Sequence, residues 1–173
     1  MNMFVIYGTK LLTNHLKTPK DAAIPANTTN IISWHADFFT QNNTYYYILV
    51  NDNNQAETIA ISNDTPLSNS QLAQTAATRI ARFYVQTSNK EAFDFFQAHA
   101  QEILILADTN QANFEIMQAK KKTVRAQLRQ QHKQTAHPTP TQKQIVTSKV
   151  DKNARKFYGG LLTHAVHKNT KGK

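Results

Sequence analysis

The spacing of apolar residues changes once along this 173-residue chain, and the change limits the folds that the chain can adopt. Between residues 31 and 62 the apolar residues form short runs rich in aromatic and β-branched side chains, which are typical of β-strands. From residue 69 onward they recur every three to four positions, which indicates amphipathic helices. Strands followed by helices predict an α+β fold.

Three adjacent segments predict an antiparallel β meander. The strands are expected over residues 31–40, 45–51 and 57–62, because Asn-rich turn sequences separate them. A short apolar run over residues 3–8 predicts a further strand at the start of the chain.

The helical part predicts an α-helical hairpin that covers one face of the sheet. Leu72, Ala76, Ile80 and Tyr84 mark its first helix, over about residues 69–86. The sequence Ser88-Asn89-Lys90-Glu91 has the spacing of a capping box, which predicts that Ser88 begins the second helix. The gap between the two helices is short enough for a hairpin.

After this hairpin, one short segment is compatible with two secondary structures. The chain beyond it becomes basic. Residues 103–106 either end the second helix or form a short strand. A third helix, capped by Asp108 or Asn110, is expected to run to about Thr135, before a Pro-containing break. We therefore predict one α+β domain over residues 1–135, β-rich over 1–62 and helical over 69–135, and a basic C-terminal arm over 136–173.

Charge is divided unevenly between the two parts of the chain. Residues 1–117 hold six Lys/Arg and ten Asp/Glu, a net charge of −4. Residues 118–173 hold fourteen Lys/Arg and one acid, a net charge of +13. A segment this basic attracts polyanions, of which nucleic acid is the most common in a cell, although a solvated tail that only aids solubility has the same composition.

The third helix carries the most specific basic pattern. Its cations recur every four residues from Lys121 to Lys133, so they form a stripe that winds by about 40° per step. In the arm, a second basic run lies beside Phe157 and Tyr158, which either stack on unpaired bases or anchor the arm to the domain. The predicted nucleic-acid-binding residues are Lys121, Lys122, Arg125, Arg129, Lys133, Lys152, Arg155 and Lys156.

Two polar residues on a predicted strand are the candidates for chemistry. Alternation points Trp34 toward the core, and places His35 and Asp37 together on the opposite face. Such a pair can orient an imidazole or bind a metal with partners from elsewhere, or it can lie on an ordinary half-exposed sheet face. His164 and His167 lack further ligands nearby, the chain has no cysteine, and no Gly-rich nucleotide-binding motif is present. We predict no metal, no cofactor and no catalytic residue.

Three segments of the N-terminal part carry a family resemblance. They read Gly8-Thr9-Lys10-Leu11-Leu12, Trp34-His35-Ala36-Asp37 and Leu49-Val50-Asn51-Asp52. With these segments the chain resembles the bacterial domain-of-unknown-function family 6933. The resemblance implies a bacterial or mobile-element origin and supports the fold, and it implies no particular chemistry.

These observations lead to three hypotheses about function. The first is a non-enzymatic accessory protein that binds nucleic acid or another polyanion through its basic C-terminal third. The second is a protein–protein module, an inhibitor or regulator that recognises an acidic partner. The third is an enzyme that uses His35 and Asp37. Because the sequence shows neither a signal peptide nor a long apolar run, we expect a cytoplasmic protein that does not enter a membrane.

Overall fold

The computed structural model describes residues 1–135, which form five strands and four helices around one mixed sheet. The elements in chain order are β1 (Asn2–Gly8), α1 (Lys10–Leu16), β2 (Asn30–Gln41), β3 (Thr44–Asn51), β4 (Thr58–Asn63), α2 (Asn69–Gln86), α3 (Lys90–His99), β5 (Glu102–Ala107) and α4 (Gln111–Thr135).

The sheet has the strand order β4-β3-β2-β1-β5. β2, β3 and β4 pair antiparallel, so this part of the sheet is the predicted meander. The sheet as a whole is mixed rather than a purely antiparallel meander, because β1 lies parallel to both β2 and β5. The helix α1 stands between β1 and β2, and a crossover of this kind returns the chain to the starting edge and makes the pair parallel. Of the two readings for residues 103–106, the structure has the strand, within β5.

A two-residue turn joins β2 to β3. Asn42 and Asn43 both have positive φ angles, of 51° and 62°, and Gln41 pairs with Thr44 across the turn. Two successive left-handed residues are typical of the type I′ hairpin turn, and asparagine adopts this conformation more readily than other non-glycine residues. The turn places the polar end of the hairpin beside the second half of α4.

Helices α1, α2 and α3 pack on one face of the sheet. The fully buried Trp34 lies in this core, together with Leu12 of α1, Ile80 of α2 and Phe96 of α3. The predicted helical hairpin is therefore present as α2 and α3. The predicted N-cap is wrong, however, because the side chain of Asn89 caps α3, while Ser88 has a φ angle of 55°.

Helix α4 packs on the opposite face of the sheet. Met117 and Val124 of α4 form a second core with Phe39, Ile48 and Val50 of β2 and β3. The interpretation of this face as an ordinary half-exposed surface is therefore wrong along β2, where the helix covers it. In the range that the structure describes, no helix combines the length and apolar character needed to cross a membrane. The predicted arm over residues 136–173, with Lys152, Arg155, Lys156 and the pair His164 and His167, lies outside the described residues.

Candidate nucleic-acid interface

The predicted basic stripe of α4 divides into a buried and an exposed part. Lys122, Arg125, Arg129 and Lys133 are exposed to solvent. Lys121 is only 6% exposed and points toward the sheet, so the prediction that it belongs to an exposed binding stripe is wrong. The reason is its position in the apolar pattern, since Lys121 follows Met117 by four residues and precedes Val124 by three.

Lys121 is buried because it pairs with a buried carboxylate. Its Nζ atom lies 2.9 Å from Oδ2 of Asp37, whose side chain has no solvent exposure. The other oxygen of Asp37 accepts hydrogen bonds from Thr9 Oγ1 at 2.6 Å and from the Phe38 backbone N–H at 2.8 Å. Thr9 is also the N-cap of α1, so this network ties α1, β2 and α4 together. Together with the side-chain amide of Gln118, these groups surround the Asp37 carboxylate with four hydrogen-bond donors. A buried charge that is paired and hydrogen-bonded in this way is tolerated in a protein interior.

His35 does not pair with Asp37 but forms a second ionic centre. Its Nδ1 atom bonds to Asp52, and its Nε2 atom lies 2.7 Å from Oδ2 of Asp108. Both ring nitrogens donate only when the imidazole is protonated. Burial lowers the pKa of His35, but the hydrogen bonds and negative charges of Asp52 and Asp108 together outweigh this effect and raise the pKa above its usual value.

The arrangement around His35 favours an ion pair over a metal site. The two carboxylates lie on opposite sides of the ring, so one ion cannot bind all three groups. Within residues 1–135, no group of three or more His, Cys, Asp or Glu side chains is placed to hold a metal ion. Burial, followed by the charges of Asp52 and Asp108, also raises the pKa of Tyr7, whose ring centre lies 5.7 Å from that of His35.

A small pocket of about 240 Å³ opens beside His35. Its described walls are His35, Val50, Asn51, Asp52, Gln55, Asn113 and Ile116. Asp37 does not line this pocket and has separate partners. His35 and Asp37 therefore do not form the shared concave site that the enzyme hypothesis requires.

A larger depression lies between the second half of α4 and the β2–β3 turn, and has a volume of about 590 Å³. We call it the basic groove, and it is lined by Thr40, Gln41, Asn42, Arg125, Arg129, His132 and Lys133. Among the residues that the structure describes, no Asp or Glu lines it. Cations on one wall therefore face uncharged amides and a hydroxyl on the other, which is an arrangement suited to an anion.

One cation of the basic groove is held against an aromatic ring. The guanidinium carbon of Arg125 lies 4.5 Å from the ring centre of Phe39, which is a cation–π distance. Phe39 in turn stacks on Tyr46 with ring centres 5.2 Å apart and an angle of 18° between the planes. This stack supports the side chain of Arg125 where it borders the groove.

Of the eight predicted binding residues, the structure brings three together in the basic groove, namely Arg125, Arg129 and Lys133. Lys122 is exposed but does not line the groove. The sequence reasoning missed Thr40, Gln41 and Asn42, because their proximity to α4 depends on how the helix crosses the sheet. It considered His35 only together with Asp37 and did not identify Asp52 and Asp108, although each of these follows the end of a strand, where side chains from neighbouring strands meet.

The three segments on which the predicted family resemblance is based each contribute residues to the two ionic centres, while Lys121 and Asp108 come from elsewhere in the chain. Thr9 of the first segment bonds to Asp37 of the second, and His35 of the second bonds to Asp52 of the third. These residues connect the sheet to the helices that pack on it, so their contacts account for a structural role. Comparison of the chain with models of protein families, with curated proteins and with solved structures found no match.

Proposed function

We propose that the protein binds nucleic acid, or a polyanion of similar charge density, through the basic groove. The observation that carries the proposal is the gathering of Arg125, Arg129 and Lys133 on one wall of a single concave surface. A cation that neutralises a phosphate releases condensed counterions, and this release drives binding whatever the base sequence.

Further basic residues extend the proposed interface. Lys122 is exposed on the same helix. Residues 136–173 contribute eight more Lys/Arg against one acid, among them Lys152, Arg155 and Lys156. Their charge adds to the attraction of the chain as a whole for a polyanion, so we propose them as additional phosphate contacts.

The test is binding of labelled DNA and RNA to the full-length protein at several salt concentrations. If six to eight cations contact phosphates, the log–log plot of affinity against salt has a slope of about −5 to −7 on duplex DNA. The triple variant R125A/R129A/K133A should bind more weakly, with a slope smaller in magnitude by about 3.

The matched control is K20A/R79A/R82A, which removes the same charge from exposed positions outside the groove. We expect this control to keep most of the affinity and the slope. Equal losses in both triple variants would show that only total charge matters and would remove the groove from the proposal. A salt slope near zero for the wild-type protein would contradict polyanion binding altogether.

An acidic protein is the second candidate partner, because a groove whose described lining has cations and no acids complements an acidic surface equally well. Affinity capture before and after nuclease digestion separates the two partners. One protein that stays bound in stoichiometric amount after digestion, and is lost from R125A/R129A/K133A, would favour this second function. We propose no catalytic role for His35 and Asp37, because the two have separate partners and no shared pocket.

A further inference from the structure

We propose that the ligand of the basic groove is a single strand of nucleic acid, with one base stacked on the guanidinium of Arg125. This inference rests on the proposed function and narrows its substrate class. Three properties of the groove support it, namely the aromatic backing of Arg125, the concave shape, and the chemistry of the wall opposite the helix.

Arg125 lines the groove and its guanidinium lies over the ring of Phe39. A guanidinium is planar, delocalised and weakly hydrated, so it stacks on flat rings, which an ammonium group does less well. Phe39 is 4% exposed and belongs to the core under α4, so the ring beneath Arg125 is fixed. Because the arginine is already ordered by this contact, less conformational entropy is lost when a base stacks on it.

The shape of the groove favours one strand over a duplex. The groove is open and has a volume of about 590 Å³, which leaves room for a nucleotide-sized group. A duplex presents phosphates on its outer surface and keeps its bases stacked inside. A base could reach Arg125 from a duplex only after flipping out of the stack, and a single strand avoids this free-energy cost.

The wall opposite the helix provides groups for the edge of a base. Gln41 and Asn42 carry amides that both donate and accept hydrogen bonds, and Thr40 adds a hydroxyl. Along α4, Arg129 and Lys133 follow Arg125 at rises of about 6 Å and 12 Å. They can contact phosphates on the strand that flanks the stacked base. Stacking tolerates every base, so we expect weak sequence preference.

The experiment compares three ligands at one salt concentration with the full-length protein. The ligands are a short oligothymidylate, the same length of duplex, and an oligonucleotide of equal length that lacks the bases but keeps the phosphates. We expect the oligothymidylate to bind at least about tenfold more tightly than either of the others, because only it offers unpaired bases.

Two substitutions that conserve the positive charge test the role of Arg125. Arg125→Lys keeps the positive charge and loses the planar group, so affinity for the oligothymidylate should fall by about 5- to 150-fold. Because the positive charge is retained, the affinity of Arg125→Lys for the duplex and for the base-free strand should fall by much less than its affinity for the oligothymidylate. Arg82→Lys is the matched control, because Arg82 is exposed on α2 and does not line the groove, and its affinities for all three ligands should stay near those of the wild type.

The possible outcomes separate this inference from the proposed function. Equal or tighter binding of the duplex, with a steep salt slope, overturns the single-strand inference and leaves polyanion binding intact. Unchanged affinity of Arg125→Lys for the oligothymidylate overturns the stacking role. Loss of salt dependence with every ligand overturns both proposals. Because Arg125 is exposed, Arg125→Lys should fold, and its thermal unfolding serves as the check.

Discussion

The two halves of α4 use the same kinds of residue for opposite purposes. In the first half, Lys121 is buried and neutralises Asp37 beneath the helix. In the second half, Arg125, Arg129 and Lys133 line an open groove, and no described Asp or Glu side chain lines it. The sequence spaces all four cations four residues apart, so the spacing by itself does not distinguish a structural cation from one that faces solvent.

The difference between the halves follows from helix geometry. A residue four positions further on is rotated by about 40° around the axis, so a four-residue series winds from one side of a helix to another. Lys121 faces the sheet with Met117 and Val124, whereas Arg125 has rotated to the edge of the interface and lies over Phe39. The series therefore begins inside the protein and ends on its surface.

The largest expected effect is on stability, from the change Lys121→Met. It leaves the fully buried Asp37 charge without its cation, which should lower the free energy of unfolding by about 3–5 kcal/mol. The adjacent Lys122→Met, at an exposed position, should change it by less than about 0.5 kcal/mol. Urea unfolding of both variants measures the contrast.

The double variant D37N/K121M is the control for a general packing defect. It removes both charges, so it should recover much of the stability that Lys121→Met loses. An unfolding free energy for Lys121→Met within about 0.5 kcal/mol of the wild type would contradict the buried pair.

The second-largest effect on stability is expected from His35, whose ring on β2 contacts Asp108 in the loop before α4. Because its pKa is raised in the folded protein, the stability that it contributes is fully present below the unfolded pKa of about 6.5. This contribution is lost as the pH rises through the folded pKa. At pH 6, His35→Gln should lower the free energy of unfolding by about 1.5–3 kcal/mol, and the deficit should shrink at alkaline pH.

His15 must be separated from this effect, because burial lowers its pKa and gives its contribution the opposite dependence on pH. The difference between wild type and His35→Gln at each pH cancels the part that His15 contributes. NMR titration of the His35 ring gives a direct measurement. A ring that titrates below the usual histidine range would contradict the ion pairs with Asp52 and Asp108.

A smaller effect is expected at the turn that forms the far wall of the groove. Asn43 has a φ angle of 62°, which an alanine adopts less readily, so Asn43→Ala should lower the free energy of unfolding by about 1 kcal/mol. Asn43→Gly should be neutral or stabilising. Thermal unfolding of the pair tests whether the wall opposite the exposed half of α4 depends on backbone conformation.

The smallest effect on stability is expected in the groove itself. Arg129→Ala and Lys133→Ala should each change the free energy of unfolding by less than about 0.5 kcal/mol, because both residues are exposed. A loss comparable with that of Lys121→Met would mean that the second half of α4 is also structural, and the contrast between the halves would disappear.

The local elements could be predicted from the sequence, and the pairings between distant elements could not. The bounds of β3 and α2 follow from side-chain type and periodicity, which neighbouring residues determine. The parallel pairing of β5 with β1 joins segments about a hundred residues apart, and periodicity holds no information on which strands become neighbours. The buried position of Lys121 could have been predicted from the sequence, because Lys121 lies on the apolar face of α4, in the same periodic pattern as Met117 and Val124.

The candidate site shows the same limit. Arg125, Arg129 and Lys133 could be selected from the sequence because they lie on one helix. The hairpin wall and the partners of His35 come from other elements, and only the packing of α4 across the sheet brings them near.

The buried Trp34 provides an intrinsic fluorescence probe of folding. It is the single tryptophan of the chain, it has no solvent exposure, and its indole N–H has no hydrogen-bond partner among the residues that the structure describes. An indole in such apolar surroundings emits at shorter wavelengths than one in water. Trp34 lies in the core opposite the face that α4 covers, so its emission should respond to unfolding and stay constant when a ligand fills the groove. One fluorescence channel can therefore follow folding while a labelled oligonucleotide reports occupancy.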